Sequence, residues 1–174
     1  KVAEPIDKDY PGLKELISNM YETMYHADGV GLAAPQIGKA IRLLIIDLAP
    51  FKEDDPELGS FKITMINPEM LEFGDSKVTA EEGCLSIPGI YESVMRSESI
   101  KIKYFDEDFN KKTEVYDGLI ARVIQHEYDH IEGILFTDRI STLKKTLIKK
   151  KLQNIMDGKA FPDYRMKFAN KKGR

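Results

Sequence analysis

Chemistry in this chain is concentrated at Gln125-His126-Glu127-Tyr128-Asp129-His130, where two imidazoles stand four residues apart with a carboxylate beside the first. On a helix that spacing puts both histidines on one face, able to grip a single metal ion, and aims Glu127 at a water on that ion. A metal that activates water next to a carboxylate is the working part of a hydrolase. Catalytic metals commonly take three protein ligands and leave one position open, so His126 and His130 need a companion.

Elimination narrows the search for it. One metallopeptidase design uses a Glu on a later helix, but no Glu follows Glu132. Another runs through a Gly to a third His; Gly133 is in place, yet Phe136 stands where that His belongs. His26 reads as the polar end of an amphipathic first helix. Cys84 remains, and a thiolate suits first-row divalent ions and stays deprotonated when bound. A lone Cys is more often a small buried hydrophobe. This one lies in Glu81-Glu82-Gly83-Cys84-Leu85-Ser86-Ile87-Pro88-Gly89, where glycines and a proline shape the backbone as if around a site. As the single Cys it makes no intrachain disulfide, which fits a reducing compartment. A third segment, residues 29–38 (Gly-Val-Gly-Leu-Ala-Ala-Pro-Gln-Ile-Gly), lets the backbone run close to a ligand and offers the Gln36 amide as an uncharged donor. Without a Gly-Lys-Ser/Thr ending it is not a phosphate loop.

Periodicity indicates the elements that must hold these groups. Leu13, Leu16, Ile17, Met20 and Met24 recur at helical spacing after Asp9 and Pro11, predicting a helix from there to about His26. Between residues 42 and 112 the pattern changes to strand-like runs such as Arg42-Leu43-Leu44-Ile45-Ile46-Asp47 and Lys62-Ile63-Thr64-Met65-Ile66. Ile100, Ile102 and Tyr104 alternate with lysines and lead through a polar turn into residues 112–116, a hairpin with one wet face. Leu119, Ile120, Val123, Ile124 and Ile131 then surround the histidine motif, predicting a buried helix that stops at Gly133. A last helix can start at Ser141, put Leu143, Leu147, Ile148, Leu152 and Ile155 inward, and end near Gly158. The tail from Lys159 has few apolar residues and reads as loosely held.

Strands followed by helices favour an α+β fold. The expected architecture is mixed or antiparallel short strands packed around the buried motif-bearing helix, with an N-terminal and a C-terminal helix, in one domain over residues 1–174. A composition 42% hydrophobic and 32% charged argues against disorder. No apolar run approaches the roughly 20 residues of a membrane span, and no leader is evident, so the expected address is the cytosol, away from membranes. Net charge is −3, but from Arg139 onward twelve Lys and Arg face two Asp. That basic end could touch an anionic partner such as RNA, although a solvated helix face explains it more simply. No aromatic interleaving supports a specific nucleic-acid partner.

Taken together, the three segments resemble those of the peptide deformylases, which remove the formyl group from the N-terminal formylmethionine of new bacterial and organellar proteins. Residues 29–38, Glu82-Gly83-Cys84-Leu85-Ser86 and residues 125–130 match that family's motifs in order, over roughly 100 positions. The likeness extends to Val2-Ala3-x-Pro5. It implies a bacterial, cytoplasmic enzyme whose metal is held by Cys84, His126 and His130, with Fe(II) expected and Zn or Ni able to occupy the site. It further implies Glu127 as general base and acid, and the Gln36 amide and Leu85 N–H as oxyanion donors. Leu119 and Val123, on the His126 face, could line a slot for the Met side chain together with Val30. The backbones of Val30-Gly31-Leu32 and Gly89 could pair with the nascent peptide as an added strand. The basic C-terminal segment could sit near the ribosome. The rivals are a metallopeptidase using the same water chemistry and a non-catalytic ribosome- or RNA-binding module.

Overall fold

The computed structural model describes residues 1–170; residues 171–174, the end of the basic segment, lie outside it. The described chain sorts into two compact units, one made of Lys1–Val78 with Arg96–Ile134, the other of Thr79–Met95 with the chain from Leu135 onward. The helices are α1 (Leu13–His26), α2 (Gly118–Ile131) and α3 (Thr142–Met156). The strands are β1 (Gly31–Ala33), β2 (Leu43–Asp47), β3 (Lys62–Phe73), β4 (Lys77–Cys84), β5 (Ile87–Ser97), β6 (Ser99–Phe105) and β7 (Lys111–Asp117). The fold is α+β, as expected.

In the first unit five strands form an antiparallel sheet ordered β1-β2-β3-β6-β7. β2 is buried along its whole length. Alternation sends Leu44 and Ile46 into the cluster they share with Met65, Ile100, Ile102 and Tyr104 of the sheet and Ala121, Val123, Ile124 and Ile131 of α2. Each such side chain contributes about 1.5–3 kcal/mol on burial, which presses α2 onto the sheet. α1 also lies against β1 and β2, and its Tyr21 hydroxyl donates to the Ile63 carbonyl at 2.9 Å.

α1 begins at Leu13, later than Asp9 and Pro11 suggest. The Asp7 side chain accepts the Asp9 N–H at 2.9 Å and its carbonyl accepts the Tyr10 N–H, closing a turn where a cap was expected. β3 runs well past residues 62–66 because a bulge resets its register: Ile66 pairs with Phe105, but Glu69 pairs with Lys103. Asn67, at φ 50, sits in that bulge and spends its side chain on the N-terminal segment. Its amide accepts from Ile6 N–H at 2.9 Å and donates to Ile6 C=O at 2.6 Å.

The second unit is built on Ile87, Ile90, Val94, Phe136, Ile140, Ile148 and Ile155. β4 and β5 form a two-stranded sheet of their own. Ser141 caps α3 as expected, accepting from Lys144 N–H. Of the five apolar residues expected inward, Ile148 and Ile155 are buried and Leu152 is half-buried, but Leu143 and Leu147 are each 71% exposed. The inner stripe therefore spans only positions 148, 152 and 155, and the two leucines lie among lysines on the wet side. The tail is also more tied than expected: Tyr164 donates to the Leu85 carbonyl at 2.7 Å, Asn170 bonds Asp157, and Ala160 and Met166 pack on the core. No helix among the described residues is long and apolar enough to cross a membrane.

Candidate metal centre

α2 ends as its sequence requires. Gly133 takes φ 74, its N–H bonds the His130 carbonyl, and the Ile134 N–H bonds the Asp129 carbonyl, which satisfies the last turn. His126 and His130 follow one another along that helix with ring centroids 5.1 Å apart in an edge-to-face arrangement. Burial, reinforced by the neighbouring His126, pushes the pKa of His130 down to about 3. Its imidazole is therefore neutral near pH 7, the form that presents a lone pair to a metal. Cys84 is half-buried at the end of β4. One ligand atom from each of Cys84, His126 and His130 lies within 4.8 Å of the others. A thiol and two imidazoles form a donor set that fits a first-row divalent ion with one position left for water or substrate. His26, excluded as a ligand by sequence, is exposed on α1 with Nδ1 2.8 Å from the Glu22 carbonyl.

Glu127 is 4% exposed, and its seat is made by a missing side chain. A Cβ on Gly31 would stand 2.5 Å from Glu127 Oε1 and 2.9 Å from Cγ, so only glycine at this point of β1 leaves room for the carboxylate. Sequence reasoning had given Gly31 a main-chain role toward substrate and missed this one. A glycine-rich run signals close approach without saying to what. Just beyond β1, the short turn Ala34–Ile37 carries Gln36, whose Oε1 accepts the Ala33 N–H at 2.8 Å. Val30 and Leu119 are partly buried against the large apolar cluster to which Val123 belongs.

Two polar anchors hold α2 that the sequence did not reveal in advance. Gln125 Nε2 donates to the Ser97 carbonyl at 2.9 Å and to the Ala121 carbonyl at 3.0 Å. Arg96 Nη1 meets Asp129 Oδ2 at 2.8 Å with side-chain exposures of 2% and 4%. Buried charges are tolerated only when paired, and here the pair ties the helix turn between the histidines to the neighbouring strand end. The available signal was a basic residue within a strand-like stretch, Val94-Met95-Arg96-Ser97. In the second unit, the Leu85 carbonyl is fixed by Tyr164, and Gly89 takes φ 71 in the strand that follows.

The chain is similar to known proteins along most of its length. Residues 1–146 match the model of a family described as polypeptide deformylase. A peptide deformylase of Flavobacterium psychrophilum is 61% identical over 179 residues, spanning 99% of this chain and 92% of that protein. The solved structure of a peptide deformylase from Legionella pneumophila has a TM-score of 0.78 at 38% identity, covering 91% of this chain and 89% of that one. One from Thermotoga maritima has a TM-score of 0.72 at 45% identity, with 81% and 89% covered.

Proposed function

The chain belongs to the polypeptide deformylase family, hydrolases that take the formyl group from nascent peptides, and from that membership we propose how its own residues carry out the reaction. The observation that supports the reading best is the meeting of two imidazoles and a thiol within 4.8 Å, on a helix that also presents Glu127.

A divalent ion held by Cys84, His126 and His130, with Fe(II) proposed and Zn or Ni as alternatives, would supply Lewis acidity that activates water and polarises the formyl carbonyl. Glu127 accepts the proton that the attacking water gives up and passes it to the amine nitrogen as the C–N bond breaks. The Gln36 NH2 and the Leu85 N–H donate to the oxygen that gains negative charge. Val30, Leu119 and Val123 receive the Met side chain, while the main chains of Val30, Gly31, Leu32 and Gly89 pair with the peptide. Formate and a free N-terminal Met leave. Residues 1–174 act as one catalytic domain in the bacterial cytoplasm.

Replacing Glu127 with Gln tests the assignment. Formate release from a formyl-Met peptide should fall on the order of 10²–10⁴-fold while bound metal stays stoichiometric. Retained turnover would remove Glu127 from its role, and cleavage inside an unblocked peptide would favour the metallopeptidase. Ribosome contact through the basic segment is better tested by reversing the exposed Lys150 and Lys151 than by deletion, because Ile148 and Ile155 belong to the core. Unchanged ribosome association would remove that part of the proposal.

A further inference from the structure

The bulge in β3 has a second occupant besides the N-terminal segment. Pro68 follows Asn67 where the register jumps, so its carbonyl lies outside the regular ladder. Arg42, just before β2, donates from Nη2 to that carbonyl at 2.7 Å, to the Tyr128 hydroxyl at 3.3 Å, and makes an ion pair with Glu132 Oε1 at 2.7 Å. The Tyr128 hydroxyl also accepts the Met70 N–H at 3.3 Å, and its ring lies 5.5 Å beneath the guanidinium. Tyr128 and Glu132 lie one turn apart at the end of α2. One guanidinium thus ties two successive grips on the helix to a single irregular point of the sheet.

We propose that Arg42 and the Tyr128 hydroxyl are positioning residues for Glu127, fixing the rotation of α2 so that the carboxylate stays in the seat left by Gly31. The inference rests on the proton-transfer role proposed for Glu127. Tyr128 is the next residue in the chain, so any turn of the helix that relaxes its hydroxyl carries the carboxylate with it. With side chains the helix has a radius of about 5–6 Å, so a rotation of about 10° moves a group at its rim by about 1 Å. The Glu127 seat has no slack of that size on the Gly31 side, where even a methyl would clash. Misplacement of about 1 Å can cost about 10²-fold in rate. Simple stability does not require this geometry: the apolar cluster and the Arg96–Asp129 pair already hold α2 down. What they leave open is the fine angle at which the helix face meets β1.

The test is kinetic and uses the metal-loaded enzyme. Tyr128→Phe keeps the ring and removes only the hydroxyl; it should lower kcat about tenfold with KM within about twofold, bound metal unchanged, and faster amide exchange confined to the last turn of α2. Arg42→Lys should do the same, and the double variant should be no worse than either alone, because both act through one contact. In a Glu127→Asp background, where the shortened carboxylate is already displaced, Tyr128→Phe should cost less than about twofold. An equal loss in both backgrounds, a change confined to KM, or unaltered kcat would overturn the proposal. Should Tyr128→Phe fold poorly, Glu132→Gln, which loosens Arg42 alone, carries the same comparison. A dead Glu127→Gln beside a wild-type-like Tyr128→Phe sinks this inference only, whereas an active Glu127→Gln sinks the role on which it rests.

Discussion

α2 and α3 end in the same way, on Gly133 and Gly158 at φ 74 and 71, with paired amide bonds closing back onto the final turn. Their inner faces are filled with opposite kinds of residue. α2 buries Gln125, Glu127, Asp129 and His130 along with its apolar side chains, while α3 leaves Leu143 and Leu147 in water and buries little beyond Ile148 and Ile155. Chain-local rules therefore write the ends of both helices, and the use of the face between those ends is decided elsewhere. A polar group in a core costs several kcal/mol unless it is bonded, and α2 meets that cost at Gln125 through the Ser97 carbonyl and at Asp129 through Arg96. α3 faces no such demand, and its two outward leucines cost little because isolated apolar residues on a surface are ordinary.

If that contrast is right, the heaviest penalty falls where a buried charge loses its partner. Asp129→Ala should destabilise the fold by about 3–5 kcal/mol, read as a shifted urea midpoint, because Arg96 stays in place without the carboxylate it faces. A shift below about 1 kcal/mol would mean that α2 is held by apolar packing alone. Within α3, Ile148→Ala should cost about 2–4 kcal/mol in the same measurement, since the side chain is buried in the second unit's core. Gly31→Ala tests the seat of Glu127: kcat should fall about 10²-fold with the fold intact, and near-normal turnover would show that the carboxylate can shift without harm. The smallest effect belongs to Leu147→Gln, one residue from Ile148, which should stay within about 0.5 kcal/mol. A cost like that of Ile148→Ala would mean that the outward leucines are covered and that the contrast between the two helices is overstated.

The same contrast separates what the sequence makes legible from what it does not. The histidine motif, the glycine stops and the Ser141 cap were legible because each is a rule about neighbours in the chain. The division of α3 into a short buried stripe and a long wet face was not, because Leu143 and Leu152 differ only in what other elements supply. Arg96 was invisible as an anchor for the same reason: its partner is 33 positions away. Gly31 was noticed as permissive backbone, but the group it makes room for lies on a distant helix. The tail holds more tightly than its composition suggests because a few contacts, the Tyr164 hydroxyl, the Asn170 amide and the side chains of Ala160 and Met166, suffice to tether it.

Asn67 bears on the chemical ageing of the molecule. Its amide presents both a donor and an acceptor to Ile6, and hydrolysis to Asp would erase the donor and set a negative oxygen against the Ile6 carbonyl. Spontaneous loss of ammonia from Asn usually begins when the next residue's backbone nitrogen attacks the side-chain carbonyl to close a five-membered imide. Pro68 has no hydrogen on that nitrogen, so the ring cannot form in the ordinary way. The residue that breaks the ladder thus also shields the stitch beside it from slow decay.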